Sequence, residues 1–395
     1  MLPSTVQSDE SIYVVRPPIV GDNLDPVAAA YAATRGSFHP KLIVLETEDF
    51  LRVIITDENV SDSTPSMWHH YGVHDFERLQ DGAVAPCCCA QSHMLKFFVW
   101  NILSTPVFGD TTPGALRRDL AHLWVGGFTQ EEGLVRGAIV DKFDLRFPIG
   151  VALFTSYPMY DVWPGHLNAG STGLEQALLS LTVGDAAHGG AVLVLPEGHR
   201  LIVEHYAPSC WPGRDAMTFK QLRLAFENGF ALKSRATYLR TDYRVLWPSK
   251  RKVSESARGS STLYLGEFQK SSPAWDFFCG VVQRYPARGC WHAHSKFASI
   301  FGMDAVENKT TLAVVFGSHN ISAAAYGNLV SVGKSKADTT TAVRQVAVTY
   351  AYELSLIMAP QDDTARRNLD AIRLYDAGAR YSETTELRHF RSGPS

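Results

Sequence analysis

Charge is scarce in this chain of 395 residues: only 19% are charged and the formal net charge is −3. That excludes a uniformly basic nucleic-acid coat, although a local basic groove stays open because binding depends on where charge sits. No run approaches the ~18 apolar residues that a membrane span needs. The opening MLPSTVQSDE lacks a basic segment followed by an apolar one, so no secretory leader is expected. Only six cysteines occur, Cys87, Cys88, Cys89, Cys210, Cys279 and Cys290, with no C-x-x-C pair. A disulfide scaffold and a structural zinc site are both disfavoured, and free thiols are expected. Low-complexity segments are missing too. With 45% apolar residues the chain has material for a large core, and its length suggests two or three domains or one duplicated unit.

Short apolar runs alternate with turn signals. Residues 42–45 and 51–55 read as strand–turn–strand, and residues 149–156, 191–195 and 312–316 read as further strands. Residues 174–181 have helical apolar spacing, and residues 346–358 begin as an alternating strand. The spacing of Trp275, Phe277 and Phe278 fits a packed helix in the core. Mixed strands and helices of this kind favour an α/β class.

An internal repeat is the most informative feature. His39-Pro40-Lys41 leads into a strand, a turn, a second strand and Asn59. His294-Ser295-Lys296 leads into Phe297–Phe301, a turn at residues 304–310, Leu312–Phe316 and Asn320. Lys41 to Asn59 is 18 residues, Lys296 to Asn320 is 24, and the two histidines are 255 residues apart. Two halves are expected, residues 1–160 and 161–395, divided near residues 157–165.

The chemistry of one H-x-K…N unit follows from its residue types. Histidine is a nucleophile or an acid–base group near neutral pH. A lysine two residues on along a strand points the same way. The asparagine adds a neutral amide donor. Two such units facing each other would build a phosphate site. One His attacks phosphorus, the other protonates the leaving oxygen and then activates water. The two lysines and two asparagines hold the non-bridging oxygens. No metal or other cofactor is called for, because the lysines supply the positive charge.

These residues resemble the phospholipase D superfamily, whose mark is a duplicated H-x-K motif. Within it, the chain is similar to the tyrosyl-DNA phosphodiesterase family. The superfamily's usual Asp five residues after the Lys is replaced here by Glu46 and Phe301. The phosphodiesterase branch substitutes an H-K-N pattern for H-K-D. Residues 317–327, Gly317-Ser318-His319-Asn320-Ile321-Ser322-Ala323-Ala324-Ala325-Tyr326-Gly327, are similar to that family's S-x-N-L-S-x-A-A-W-G run. Tyr352-Glu353-Leu354 resembles its Y-E-L-G segment. Weaker echoes lie at residues 143–158 and at Trp247-Pro248-Ser249, so the resemblance spans about residues 13–360 and is tight only around the motifs.

The resemblance implies two similar α-β-α sandwich halves related by a pseudo-two-fold axis, with the active site between them. It implies His39 as nucleophile, His294 as general acid and base, Lys41, Lys296, Asn59 and Asn320 as the phosphate clamp, and Glu353 orienting His39. It places Arg35, Phe38, Trp68 and Ser322 against the substrate. It further implies a nuclear, monomeric DNA-repair enzyme, acting on DNA 3′ ends that carry a tyrosyl peptide such as a trapped topoisomerase I fragment, with no membrane partner. The run Thr64-Pro65-Ser66-Met67-Trp68 puts Pro65 where the family often has Gln. Another superfamily nuclease, a phospholipid hydrolase and a DNA-end-binding pseudoenzyme remain open on the same residues.

The rest of the polar sequence reads more blandly. His69, His70 and His74 suit a solvated loop or cleft rim better than a metal site. The triple Cys87-Cys88-Cys89 alternates faces on a strand and so cannot readily chelate one ion. Lys250-Arg251-Lys252 reads as a solvated basic loop, or else as a DNA-backbone contact or import signal.

Overall fold

The computed structural model describes residues 39–57, 69–80, 83, 142–156, 170–183, 192–232, 241–249, 252–253, 263–266, 272–284, 294–332, 344–349, 351 and 353–381. The expected substrate contacts Arg35, Phe38 and Trp68, the clamp residue Asn59, Pro65, the Cys87–Cys89 triple and the division at residues 157–165 lie outside the described residues.

Chain order begins with β1 (Leu42–Glu46), β2 (Phe50–Thr56) and β3 (Tyr71–Glu77), which form a three-stranded antiparallel sheet. Along β2, Leu51, Val53 and Ile55 are buried while Arg52 and Ile54 are half-exposed, the period-2 pattern of a sheet with one face in the core. Then come β4 (Val151–Ser156), α1 (Gly170–Val183), β5 (Arg200–Tyr206), β6 (Ser209–Cys210), α2 (Met217–Gly229), β7 (Asp242–Leu246), β8 (Tyr264–Leu265), β9 (Phe278–Gln283), β10 (Phe297–Met303), β11 (Lys309–Gly317), α3 (Ala323–Tyr326), β12 (Asn328–Val332), β13 (Arg344–Val348), β14 (Glu353–Met358), α4 (Asp363–Ala371) and β15 (Tyr375–Arg380).

Eight of these strands make one mixed sheet in the order β15-β9-β7-β5-β10-β11-β14-β4. β5, β7 and β9 run parallel, and the other pairs are antiparallel. Strands at its centre, such as β10, are buried along their whole length, so they read as continuous apolar runs instead of alternating ones. One face of this sheet packs on α1 and α2, through Leu174, Ala177, Leu178 and Leu181 of α1 and Phe219, Leu222 and Phe226 of α2. These positions recur at three- and four-residue intervals, which puts them on one helical stripe. The opposite face packs on the small sheet, where Leu51, Val53 and Ile55 meet Val314, Phe316, Leu354 and Leu356. Burying each of these large aliphatic side chains stabilises the contact by about 1.5–3 kcal/mol. The chain thus has the expected α/β architecture.

Three readings need correction. Of the strand expected at residues 191–195, the described residues 192–195 form none; the segment is pinned by Val192 N and Leu193 N donating to the Leu181 carbonyl near the end of α1. The run at 346–358 is two strands, β13 and β14, separated around residues 349–352 and lying in different sheets. Trp275 and Phe277 sit on a 3-10 turn (Pro273–Phe277) capped by Ser272, and Phe278 opens β9; Phe277 and Phe278 are buried in the core. Strand β4, which precedes residue 160, pairs with β14 at an edge of the large sheet.

Candidate functional site

The two H-x-K units open equivalent hairpins. Lys41 precedes β1, and its carbonyl accepts from Thr56 N (3.1 Å) at the end of β2. Lys296 precedes β10, and its carbonyl accepts from Gly317 N (3.2 Å) at the end of β11. Pro40 fixes its own φ and keeps His39 in the extended region, so His39 and Lys41 project from one side. Gly317 allows β14 to come close: a Cβ there would overlap the Leu354 carbonyl and Ser355. That close approach lets Ser318 Oγ accept from Leu354 N (2.9 Å) and brings Glu353, the first residue of β14, to the end of the first unit.

Glu353 is buried, and its Oε2 accepts from His39 Nδ1 (2.9 Å); the Ser318 carbonyl lies 3.1 Å from the same nitrogen. Lys41 Nζ donates to His39 Nε2 (3.0 Å) and to the His39 carbonyl (2.9 Å). This network assigns the proton to Nδ1 and leaves the Nε2 lone pair facing the lysine. The His39 side chain keeps 26% of its surface exposed, against 4% for Glu353. Burial works against the ionised Glu353, but His39, His319 and Lys41 hold its pKa below the usual carboxylate range.

In the second unit Lys296 Nζ donates to the His294 carbonyl (3.1 Å), to His294 Nδ1 (3.3 Å) and, across to the first half, to the Asp57 carbonyl (3.2 Å). Lys296 is only 2% exposed and Lys41 only 8%. Desolvation lowers the Lys41 pKa to about 8, opposed by Glu353 and Asp57. Desolvation together with Lys41 lowers Lys296 to about 7, again opposed by Asp57 and Glu353. Burial, then Lys296, Lys41 and His39, push His294 far below the ordinary imidazole range, so it is neutral in the free protein. The site is therefore electropositive and desolvated. A bound phosphodiester would supply the missing negative charge and favour the protonated form of all these groups.

Asn320 lies on a strap held at Ile321, whose N–H donates to Ser209 O (3.2 Å) and whose carbonyl accepts from Trp211 N (2.7 Å). The Asn320 Oδ1 has no hydrogen bond among the described residues. Ser322, expected against the substrate, caps α3 by accepting from Ala325 N (3.3 Å). Under the strap, His319 Nε2 donates to Ser156 Oγ (2.9 Å) and its Nδ1 lies 2.7 Å from Ser355 Oγ. Burial lowers the pKa of His319 to about 4 and leaves it neutral.

Sequence reasoning missed a second cluster. Asp57, at the end of β2, is fully buried and accepts through Oδ2 from His70 Nδ1 (2.7 Å) and from Ser295 Oγ, and through Oδ1 from His70 N (3.0 Å). His70 Nε2 donates to the Ile372 carbonyl (2.9 Å). His70, in the loop one residue before β3, is thus buried and neither solvated nor on a rim, and its ring packs between Phe297 and Phe316. His74 packs edge-on to Phe147. The available signal was Ser295 itself, a hydroxyl inside the motif with nothing nearby in sequence to satisfy it. Elsewhere, Glu46, in the superfamily's Asp position, pairs with Arg78 (3.0 Å), and Lys252 donates to the Val281 carbonyl.

No protein family matches the sequence, and no curated protein matches it. Among solved structures, a yeast tyrosyl-DNA phosphodiesterase carrying a histidine substitution is similar at a TM-score of 0.51 and 13% identity, over 83% of this chain and 68% of that one. Two further structures of yeast tyrosyl-DNA phosphodiesterase variants give TM-scores of 0.50 at 12% identity. They cover 85% of this chain and 70% of that one, and 84% and 69%. The likeness shows a phospholipase D-like fold, two pseudo-symmetric α/β halves.

Proposed function

We propose that the chain is a phosphodiesterase that needs no metal and removes tyrosyl peptides and other blocking groups from DNA 3′ ends. The observation that carries this reading is the meeting of two H-x-K units with one buried carboxylate behind His39. The H-K-N pattern and the Asn320 run favour the tyrosyl-DNA branch over a nuclease or phospholipid hydrolase. The fold is compatible with that choice.

In the first step the His39 Nε2 lone pair attacks the 3′ phosphorus. The bond from phosphorus to the tyrosyl oxygen breaks, and His294, protonated once the phosphodiester is bound, gives its proton to that oxygen. Lys41, Lys296 and Asn320 face the non-bridging oxygens as charge builds on them, with Asn59 as the expected fourth member. In the second step His294 takes a proton from water, the water oxygen bonds to phosphorus, and the bond to His39 breaks. The products are the freed tyrosyl group and a 3′-phosphate end. Glu353 holds the Nδ1 proton of His39 throughout and so keeps Nε2 as the attacking atom. Among the described residues a carboxylate accepts from the ring of His39 and none from that of His294, which is why His39 is assigned the attack. Arg35, Phe38, Trp68 and Ser322 are proposed along the DNA and peptide. A monomer acting in the nucleus fits this role.

A 3′-phosphotyrosyl oligonucleotide incubated with the protein in excess EDTA is expected to release tyrosine and leave a 3′-phosphate. Turnover that EDTA abolishes and Mg²⁺ restores would refute the metal-independent reading, and release of a nucleoside instead would favour the nuclease. A second expectation concerns pH. Because kcat/KM reports the free enzyme, it should fall as pH rises through about 7 to 8, where Lys296 and Lys41 lose their protons. A profile flat from pH 6 to 9 would show that neither charge contributes.

A further inference from the structure

We propose that Asp57, with His70 and Ser295, is a positioning residue of this site: from the first half it fixes the H-x-K unit of the second half and supplies the negative charge that faces Lys296. Two observations carry this. The carboxylate of Asp57 accepts from Ser295 Oγ, the middle residue of the second motif, while its carbonyl accepts from Lys296 Nζ (3.2 Å). One residue therefore grips both the backbone position and the ammonium of the opposite half. His70 anchors the carboxylate from behind and ties it to the Ile372 carbonyl (2.9 Å), a second contact across the two halves.

The electrostatics agree with the geometry. Both ring nitrogens of His70 donate, so the ring is an imidazolium. Burial disfavours its charge, but Asp57 and the Ile372 carbonyl raise its pKa. Burial alone would raise the Asp57 carboxyl, yet the His70 ring, the hydrogen bonds from His70 and Ser295, and the His69 ring 3.7 Å away hold it far below the usual range. The titratable groups around Lys296 are Asp57 at the end of β2, Lys41 ahead of β1, His294 beside it and Glu353 from β14. Of these, Asp57 is the acid in direct contact with the ammonium through its carbonyl.

The role predicts opposite signs for two substitutions, which simple packing would not. Asp57→Asn keeps the shape and removes the charge, so Lys296 should lose its proton more easily. His70→Gln keeps a neutral donor to Asp57 but removes the cation that offsets it, so Lys296 should hold its proton longer. The measurement is the ¹³Cε NMR shift of Lys296 against pH in the full chain, assigned through Lys296→Arg. Asp57→Asn should move the midpoint to lower pH by about one pH unit or more, and His70→Gln should move it to higher pH. An unchanged midpoint in Asp57→Asn would overturn the inference. If that variant does not fold, an unchanged or lowered midpoint in His70→Gln would do so. The inference rests on the proposed phosphodiesterase reading for its consequence in catalysis. On the blocked oligonucleotide, Asp57→Asn should lower kcat about tenfold or more and move the alkaline limb to lower pH. Failure of the wild-type chain to turn over that substrate would sink the reading, while the Lys296 titration would still decide the role of Asp57.

Discussion

With His39 replaced by Ala, tyrosine release from a blocked oligonucleotide is expected to fall by about 10⁴-fold or more, because the group assigned to form the covalent bond to phosphorus is lost. With His294 replaced by Ala the outcome differs in kind. Loss of a general acid and base costs about 10²–10⁴-fold in rate. A tyrosyl oxygen is a good enough leaving group to depart unaided, whereas water is a poor nucleophile without a base. The second step should therefore suffer more than the first, and the chain should accumulate as an adduct one oligonucleotide heavier by intact mass. Acid lability of that adduct would identify a phosphohistidine. The geometry behind this asymmetry is the unequal support of the two rings. His39 Nδ1 is held by Glu353 at 2.9 Å, while His294 Nδ1 receives a proton contact from Lys296 at 3.3 Å. An adduct that appears in the His39 variant and not in the His294 variant would reverse the two roles.

The parts of this site legible in the sequence were those repeated in it. H-x-K followed by a hairpin occurs twice, and the local pattern of each hairpin is explicit: Leu51, Val53 and Ile55 alternate, and Leu312–Phe316 is a continuous apolar run. Glu353 was reachable through the resemblance of Tyr352-Glu353-Leu354 to the family's Y-E-L-G segment, and its contact with His39 is present. Asp57 and His70, 13 residues apart, were not, because Ser295, which joins them to the second motif, lies 238 and 225 residues away. Nothing local separates a buried Asp at a strand end from a turn Asp. The same limit explains residues 191–195, whose apolar composition fits a strand but where the amides of Val192 and Leu193 are taken by the Leu181 carbonyl of α1. It also explains β4, whose sheet neighbour β14 begins nearly 200 residues later. Periodicity reports which face is buried, and long-range hydrogen bonding decides against what.

Replacing Lys296 with Met is expected to stabilise the fold while removing most of the activity. Methionine matches the length of the lysine stem, carries no charge and tolerates irregular cavities. Lys296 titrates near 7 in the folded chain, against about 10.4 in an unfolded one. Between those values the unfolded state binds more protons, so wild-type stability rises with pH across that window and the full cost of burying the ammonium is felt below about pH 7. The hydrogen bonds to the Asp57 and His294 carbonyls offset part of this cost, so the net gain on substitution should be about 1–3 kcal/mol at pH 6. It should shrink towards zero near pH 10. Urea melts of both forms at pH 6 and pH 9.5 measure the difference. A variant less stable than the wild type at pH 6 would mean that its hydrogen bonds outweigh the buried charge. The same substitution takes away a cation aimed at the transition-state oxygens, which costs about 10²–10³-fold in rate. A desolvated lysine held at the expense of stability is what a phosphate site requires, since only a cation without its own water shell interacts at full strength with the charge that develops on phosphorus.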